Sequence, residues 1–128
     1  MMKIILVIII CFSSALCFGQ TQLDLNDSAA NEFKKADKEL NKVYQQIIIE
    51  NKDDTILIKN LKISERIWMQ FRDAEMKVKY PDRESGFYGS VHPMCWYLYE
   101  ATLTNERIKK LKELFYPIID ENNIDVCQ

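Results

Sequence analysis

Apolar residues recur along this chain at alternating steps of four and three, the spacing that gathers them on one side of a helix. Ala29, Phe33, Ala36, Leu40, Val43 and Ile47 form one such stripe, predicting a helix from about Asn26 to Glu50 with Asn26 or Asp27 as its cap. Asn51-Lys52-Asp53-Asp54 is a polar break, and Asp53 or Asp54 can cap the next helix, about Thr55 to Lys79. Its expected stripe is Leu57, Leu61, Ser64, Trp68 and Phe71, widened by Ile58, Ile67, Ala74 and Val78. Pro81 cannot continue that helix. A third helix is predicted from about Met94 to Tyr116 on Met94, Leu98, Ala101, Ile108, Leu111 and Phe115, with Pro117 ending it. No segment alternates with a strand period. The expected fold is all-α: an antiparallel three-helix bundle in which each stripe faces a common core.

A polar row accompanies the stripes. Asp37, Asn41 and Tyr44 share a face of the first helix, Glu65, Trp68, Arg72 and Glu75 one of the second, and Thr104 and Arg107 one of the third. Arginine offers five donors to carboxylates and amides, so this row predicts an interhelical network that sets helix register.

The first residues read as an address. Met1-Met2-Lys3 precedes an unbroken apolar run from Ile4 to Phe12, roughly 14 Å as a helix and too short for a ~30 Å hydrocarbon core. Small residues then lead to Gly19, and the layout is that of a secretory signal peptide over residues 1–19, with the mature domain spanning 20–128. The expected location is outside the cytoplasm, periplasmic or secreted, with no stable membrane insertion after cleavage. Removing Lys3 takes the formal charge from −2 to −3. That balance leaves no basic footprint for nucleic acid and favours a basic protein partner. Of four cysteines, Cys95 and Cys127 remain after cleavage. In an oxidising compartment an even pair predicts a disulfide, with two free thiols as the alternative. It would tie the tail after the third helix back along the bundle, unless that helix breaks early near Thr102-Leu103-Thr104. A single His and no paired-Cys spacing give no basis for a metal site, and no cofactor is expected.

The connection from Pro81 to Pro93, PDRESGFYGSVHP, is long for a helix–helix link and holds two of the three glycines. Arg83, Phe87, Tyr88, Ser90 and His92 make it the candidate binding loop. Nothing in it matches a nucleophile elbow, a P-loop or a dinucleotide fingerprint, and the chain does not read as an enzyme.

Several short motifs occur in order: Thr21-Gln22-Leu23-Asp24-Leu25-Asn26, Ala36-Asp37-x-x-Leu40-Asn41-x-x-Tyr44, Glu65-Arg66-x-Trp68-x-x-x-Arg72-Asp73-Ala74-Glu75, Tyr88-Gly89-Ser90-Val91, Pro93-Met94-Cys95 and Leu103-Thr104-x-x-Arg107. Together they resemble the N-terminal domain family of LprI-like lysozyme inhibitors, over about Thr21 to Cys127. The resemblance implies a small exported helical domain that binds and blocks a lysozyme. Many members carry Cys where this chain has Ser28 and Met76, which leaves Cys95 and Cys127 as the remaining pair, and Ser64 and Glu65 stand where Ala and Gln are common. Lysozymes hold two acidic groups in a concave cleft. The loop could plug it, with Arg83 or His92 approaching the carboxylates and Phe87 and Tyr88 supplying rigid contact area. The competing expectation is a non-catalytic envelope module that binds another exported protein, or peptidoglycan fragments through Trp96, Tyr97 and Tyr99.

Overall fold

The computed structural model describes residues 21–116, which form three helices: α1 (Gln22–Glu50), α2 (Thr55–Lys79) and α3 (His92–Phe115). The expected leader, its cleavage point, the tied-back tail and Cys127 lie outside these residues. Among the described residues there is no strand.

α1 starts a turn earlier than the apolar stripe suggests. Thr21, not Asn26 or Asp27, is its cap: the hydroxyl accepts from the Asp24 amide at 3.2 Å while the Asp24 carboxylate accepts from the Thr21 amide at 3.0 Å. This reciprocal box satisfies two orphan donors before the first buried residue, so the helix does not need core contacts to begin. Those bonds hold the Asp24 carboxyl below its ordinary range. Asp54 caps α2 by accepting from the Leu57 amide at 2.9 Å. α3 begins at His92 with Pro93 in its first turn, where the missing donor costs nothing, and runs unbroken past Thr104.

Directions follow from contacts at the two ends. Near its start α1 meets the segment entering α3, where Asn26 Nδ2 donates to the Ser90 carbonyl at 3.4 Å; near its end, the Tyr116 hydroxyl after α3 donates to Glu50 at 2.5 Å. These two helices run parallel. α2 runs against both: Glu75 meets Tyr99, and Glu65 meets Arg107 further along α3.

The closest packing is between α1 and α3. Ala29, Ala36 and Ala101 let the two backbones approach, and Leu40, Val43, Ile47, Ile108 and Leu111 fill the rest. Burying each of the larger aliphatic chains contributes roughly 1.5–3 kcal/mol. Thr104 is fully buried in this interface, its hydroxyl donating to the Glu100 carbonyl at 2.8 Å, so it needs no partner on another helix.

α2 sits farther out, and its orientation differs from the expected one. Its buried residues are Leu61, Glu65 and Met76, with Leu57, Trp68 and Arg72 partly buried beside them. Ser64, Ile67, Phe71, Ala74 and Val78, expected on the core stripe, are exposed. The helix is turned so that its charged row faces inward. Glu65 and Arg72 meet opposite charges there and Glu75 accepts from a phenol, and their stems together with Trp68 cover apolar surface, which offsets leaving isoleucines outside.

Candidate functional site

Two regions gather polar and aromatic side chains. The first is the seam between α2 and the α1–α3 pair. Arg107 donates from Nε and Nη2 to one Glu65 oxygen at 3.0 and 2.9 Å, and from Nη2 to Ser64 Oγ at 3.1 Å. Arg72 lies among three carboxylates, Asp37 at 3.8 Å, Asp73 at 3.6 Å and Glu100 at 3.8 Å, while its buried Nε has no hydrogen-bond partner. The Trp68 ring lies within 5.3 Å of the Arg72 guanidinium and 5.8 Å of that of Arg107, and Arg72 also approaches the Phe33 ring at 5.6 Å. These are cation–π distances. Burial pushes the Glu100 carboxyl up; the Arg72 charge and a bond from Trp96 oppose this without cancelling it. Burial first, and then the nearby Glu65 charge, raises the Tyr44 phenol.

Of the row read from sequence, Asp37, Tyr44, Glu65, Trp68, Arg72 and Arg107 meet in this seam, joined by Glu100, while Glu75 accepts from the Tyr99 hydroxyl farther along. Asn41 does not join them: it is exposed and donates back to the Asp37 carbonyl at 3.0 Å, a bond within its own helix. Thr104 faces α1 instead. Around Trp68 and Arg72 the seam is filled by its own side chains; at its far end Ser64 and Arg107 help line an open hollow of about 550 Å³ between α2 and α3.

The second region is the α2–α3 connection, residues 81–91. Four carbonyls fold it into successive turns: Glu84 accepts from the Phe87 amide at 3.2 Å, Gly86 from Gly89 at 3.0 Å, Gly89 from His92 at 3.3 Å, and Val91 from Cys95 at 3.2 Å. Gly86 and Gly89 have φ of 83° and 72°, a left-handed backbone that side chains rarely adopt. The Tyr88 hydroxyl donates to the Pro81 carbonyl at 2.7 Å and closes the loop. The Tyr88 ring stacks on His92 at 4.6 Å, and Tyr80 meets Tyr88, His92, Trp96 and Tyr99 at 5.1–6.4 Å between centroids. Tyr80 is thus the hub of the loop's base, although its position just before Pro81 marks only a helix end in the sequence. Burial, ahead of the neighbouring thiol and phenols, raises its own phenol.

The candidate loop residues therefore divide. Arg83 and Phe87 project together, the guanidinium 5.6 Å from the ring and Phe87 59% exposed. Ser90 is exposed and tied to α1 through its carbonyl. Tyr88 and His92 form the support, and His92 Nε2 is buried among aromatic rings without a partner. That nitrogen faces the rings rather than solvent. Beneath the tip lies a shallow hollow of about 250 Å³ lined by Tyr80, Tyr88, His92 and Trp96. The three aromatics read as a sugar platform do not share a face, because Tyr97 stacks on Phe33 of α1 at 6.2 Å whereas Trp96 and Tyr99 pack around Tyr80. Among the described residues no group of His, Cys, Asp and Glu converges to hold a metal ion, and no helix is long and apolar enough to cross a membrane.

A profile of the family described as "Lysozyme inhibitor LprI" matches residues 17–111, which takes in α1, α2, the loop and most of α3. The chain belongs to the lysozyme inhibitor LprI family. It is also 31% identical over 108 residues to "Uncharacterized protein R02472" from Rhizobium meliloti (strain 1021), a match covering 73% of each chain. No solved structure matches it. Both the seam and the loop fall inside the LprI match; the end of α3 and everything after it fall outside.

Proposed function

We propose that this LprI-family protein is exported, periplasmic or secreted, and acts without catalysis by seating the 81–91 loop in the substrate cleft of a lysozyme. The observation that carries this reading is the build of the loop. A phenol-to-carbonyl bond and a stacked histidine brace it from below, and an exposed aromatic–cation pair, Phe87 and Arg83, stands at its tip. A braced loop loses little conformational freedom on docking. An aromatic beside an arginine is the composition that dominates interface energetics. Lysozyme clefts present two carboxylates, which Arg83 can meet, while Phe87 covers apolar cleft wall. The net negative charge of the rest of the protein speeds encounter with a basic enzyme at low salt. Tyr88 and His92 serve as supports in this reading rather than contacts.

The test is a turnover assay across lysozyme classes with wild type, Arg83→Ala and Phe87→Ala. Both positions are exposed, so helicity should be unchanged. Each substitution is expected to weaken inhibition roughly tenfold or more. Absence of inhibition in every class at micromolar protein rules the reading out; inhibition indifferent to both substitutions moves the contact surface off the loop. If no lysozyme is inhibited, affinity capture from envelope extract with the same variants tests the module reading.

A further inference from the structure

The rotation of α2 leaves a second stripe outside. Ile56, Ile63, Ile67, Phe71, Ala74 and Val78 follow one another at steps of seven, four, four, three and four, so they line one shoulder of the helix. Ile56 and Val78 are each 73% exposed, Ile67 58% and Phe71 54%. Contiguous apolar surface of this kind normally has a cover.

The stripe borders a groove against α3. At one end Ile56, Leu57 and Leu61 of α2 and Leu111, Leu114 and Phe115 of α3 enclose an open hollow of about 550 Å³, beside the point where the chain leaves α3. At the other end, Tyr99 faces α2, donating to Glu75 at 3.3 Å and lying 4.9 Å from the Lys79 ammonium. Cys95 sits one turn before Tyr99 on the same edge of α3, partly buried. The hollow therefore opens at the exit of α3, and the thiol lies at the opposite end of the same α2–α3 edge.

We propose that residues 117–127 of this chain lie back along the α2–α3 groove, with Ile118 and Ile119 in its hollow end and Cys127 joined to Cys95. The lengths agree. Cys95 to Phe115 is about 30 Å along a helix, the stripe from Ile56 to Val78 about 33 Å, and eleven extended residues after Tyr116 reach about 36 Å. The tail must run nearly straight, as a strap does. Its composition also agrees: PIIDENNIDVCQ carries four aliphatic residues for the apolar shoulder, and Asp120, Glu121 and Asp125 with no basic residue. Lys59, Arg66 and Lys77 follow the stripe along its other flank and complement those charges. In forming the bond, both thiols lose their protons and the sulfurs give up two electrons to a disulfide-bearing oxidoreductase or oxidised glutathione, whose disulfide becomes two thiols.

The test uses the exported protein from an oxidising compartment, its free thiols alkylated before digestion with trypsin without reductant. The peptide Glu84–Arg107 should be recovered linked to Glu113–Gln128. Cys127→Ser should lower the thermal midpoint by roughly 10–20 °C. An Ile118→Asp/Ile119→Asp variant should keep the link and the helix content, yet raise binding of an apolar-surface dye and speed amide exchange along α2. Free sulfurs, or Cys95 linked to Cys11, Cys17 or another chain, overturn the proposal. So does a correct link with α2 exchange indifferent to the isoleucines. A sedimenting dimer that Phe71→Asp dissolves would give the groove to a second copy, and overturns it as well.

Discussion

Between α1 and α3 the buried side chains are Ala, Val, Ile, Leu and one self-satisfied Thr; where α2 leans on that pair it buries Leu61, Met76 and the charged Glu65, with Trp68, Arg72 and Arg107 half-buried around them. The small residues let α1 and α3 come close, and their polar ties (Asn26 to Ser90, Lys112 to Glu39, Tyr116 to Glu50) stay on the exposed rim. The α2 seam does the opposite. Its charges are inside, each arginine beside at least one carboxylate, and its apolar residues are divided between the seam and the outer shoulder. One interface is held by volume and the other by pairing. The loop grows from the second kind, since Tyr80 ends α2 and His92 begins α3.

The largest expected effect comes from removing half of a pair. Arg107→Leu leaves the Glu65 carboxylate buried without a donor, and should destabilise by about 3–5 kcal/mol in denaturant unfolding. The double variant Glu65→Leu/Arg107→Leu should recover most of that loss, because two aliphatic chains need no partner in the same space. If the double variant is as unstable as the single one, the seam depends on volume after all and the contrast with α1–α3 collapses.

Ile47→Ala sharpens the other side. Ile47 has no exposed surface, and a parallel pair packed this closely cannot collapse around the void, so a loss of about 3 kcal/mol is expected. No second substitution across the interface should rescue it as the seam pair does, short of one that refills the volume. Calorimetry of Ile47→Ala alone and with the larger Leu111→Phe, from the same buried cluster, checks this.

How much of this could be read in the residues differs by helix. α1 carries one apolar face, and its buried positions Ala29, Ala36, Leu40, Val43 and Ile47 follow the predicted stripe. α2 carries two competing faces, and periodicity alone prefers the greasier one. The decision depends on Arg107, Glu100 and Asp37, which lie on other helices and leave no trace in α2's own spacing. The start of α1 had a local signal, Thr21-x-x-Asp24, that the stripe overrode because the first buried residue comes only at Ala29. For the loop, its length and glycines marked it out, while the enclosure of His92 needed the third dimension: Tyr80 and Trp96 come from the helices on either side.

The smallest effect tests the rim. Tyr116 donates to Glu50, and that bond, ahead of burial and the carboxylate's charge, pushes its phenol from 10 up to about 12. A folded pKa above the unfolded one means the bond contributes fully below pH 10 and is lost as pH climbs towards 12. The partner reports the reverse: bonds from Gln46 and then Tyr116 hold the Glu50 carboxyl below its ordinary range, so its share is present above the unfolded carboxylate pKa and disappears on acidification. Tyrosinate absorbance should therefore show one phenol titrating near 12 in wild type and near its ordinary value in Glu50→Gln. Both groups are exposed, so the midpoint of thermal unfolding near neutral pH should barely move between the two proteins. A large shift there would mean that the rim, and not the packed volume behind it, holds α1 and α3 together.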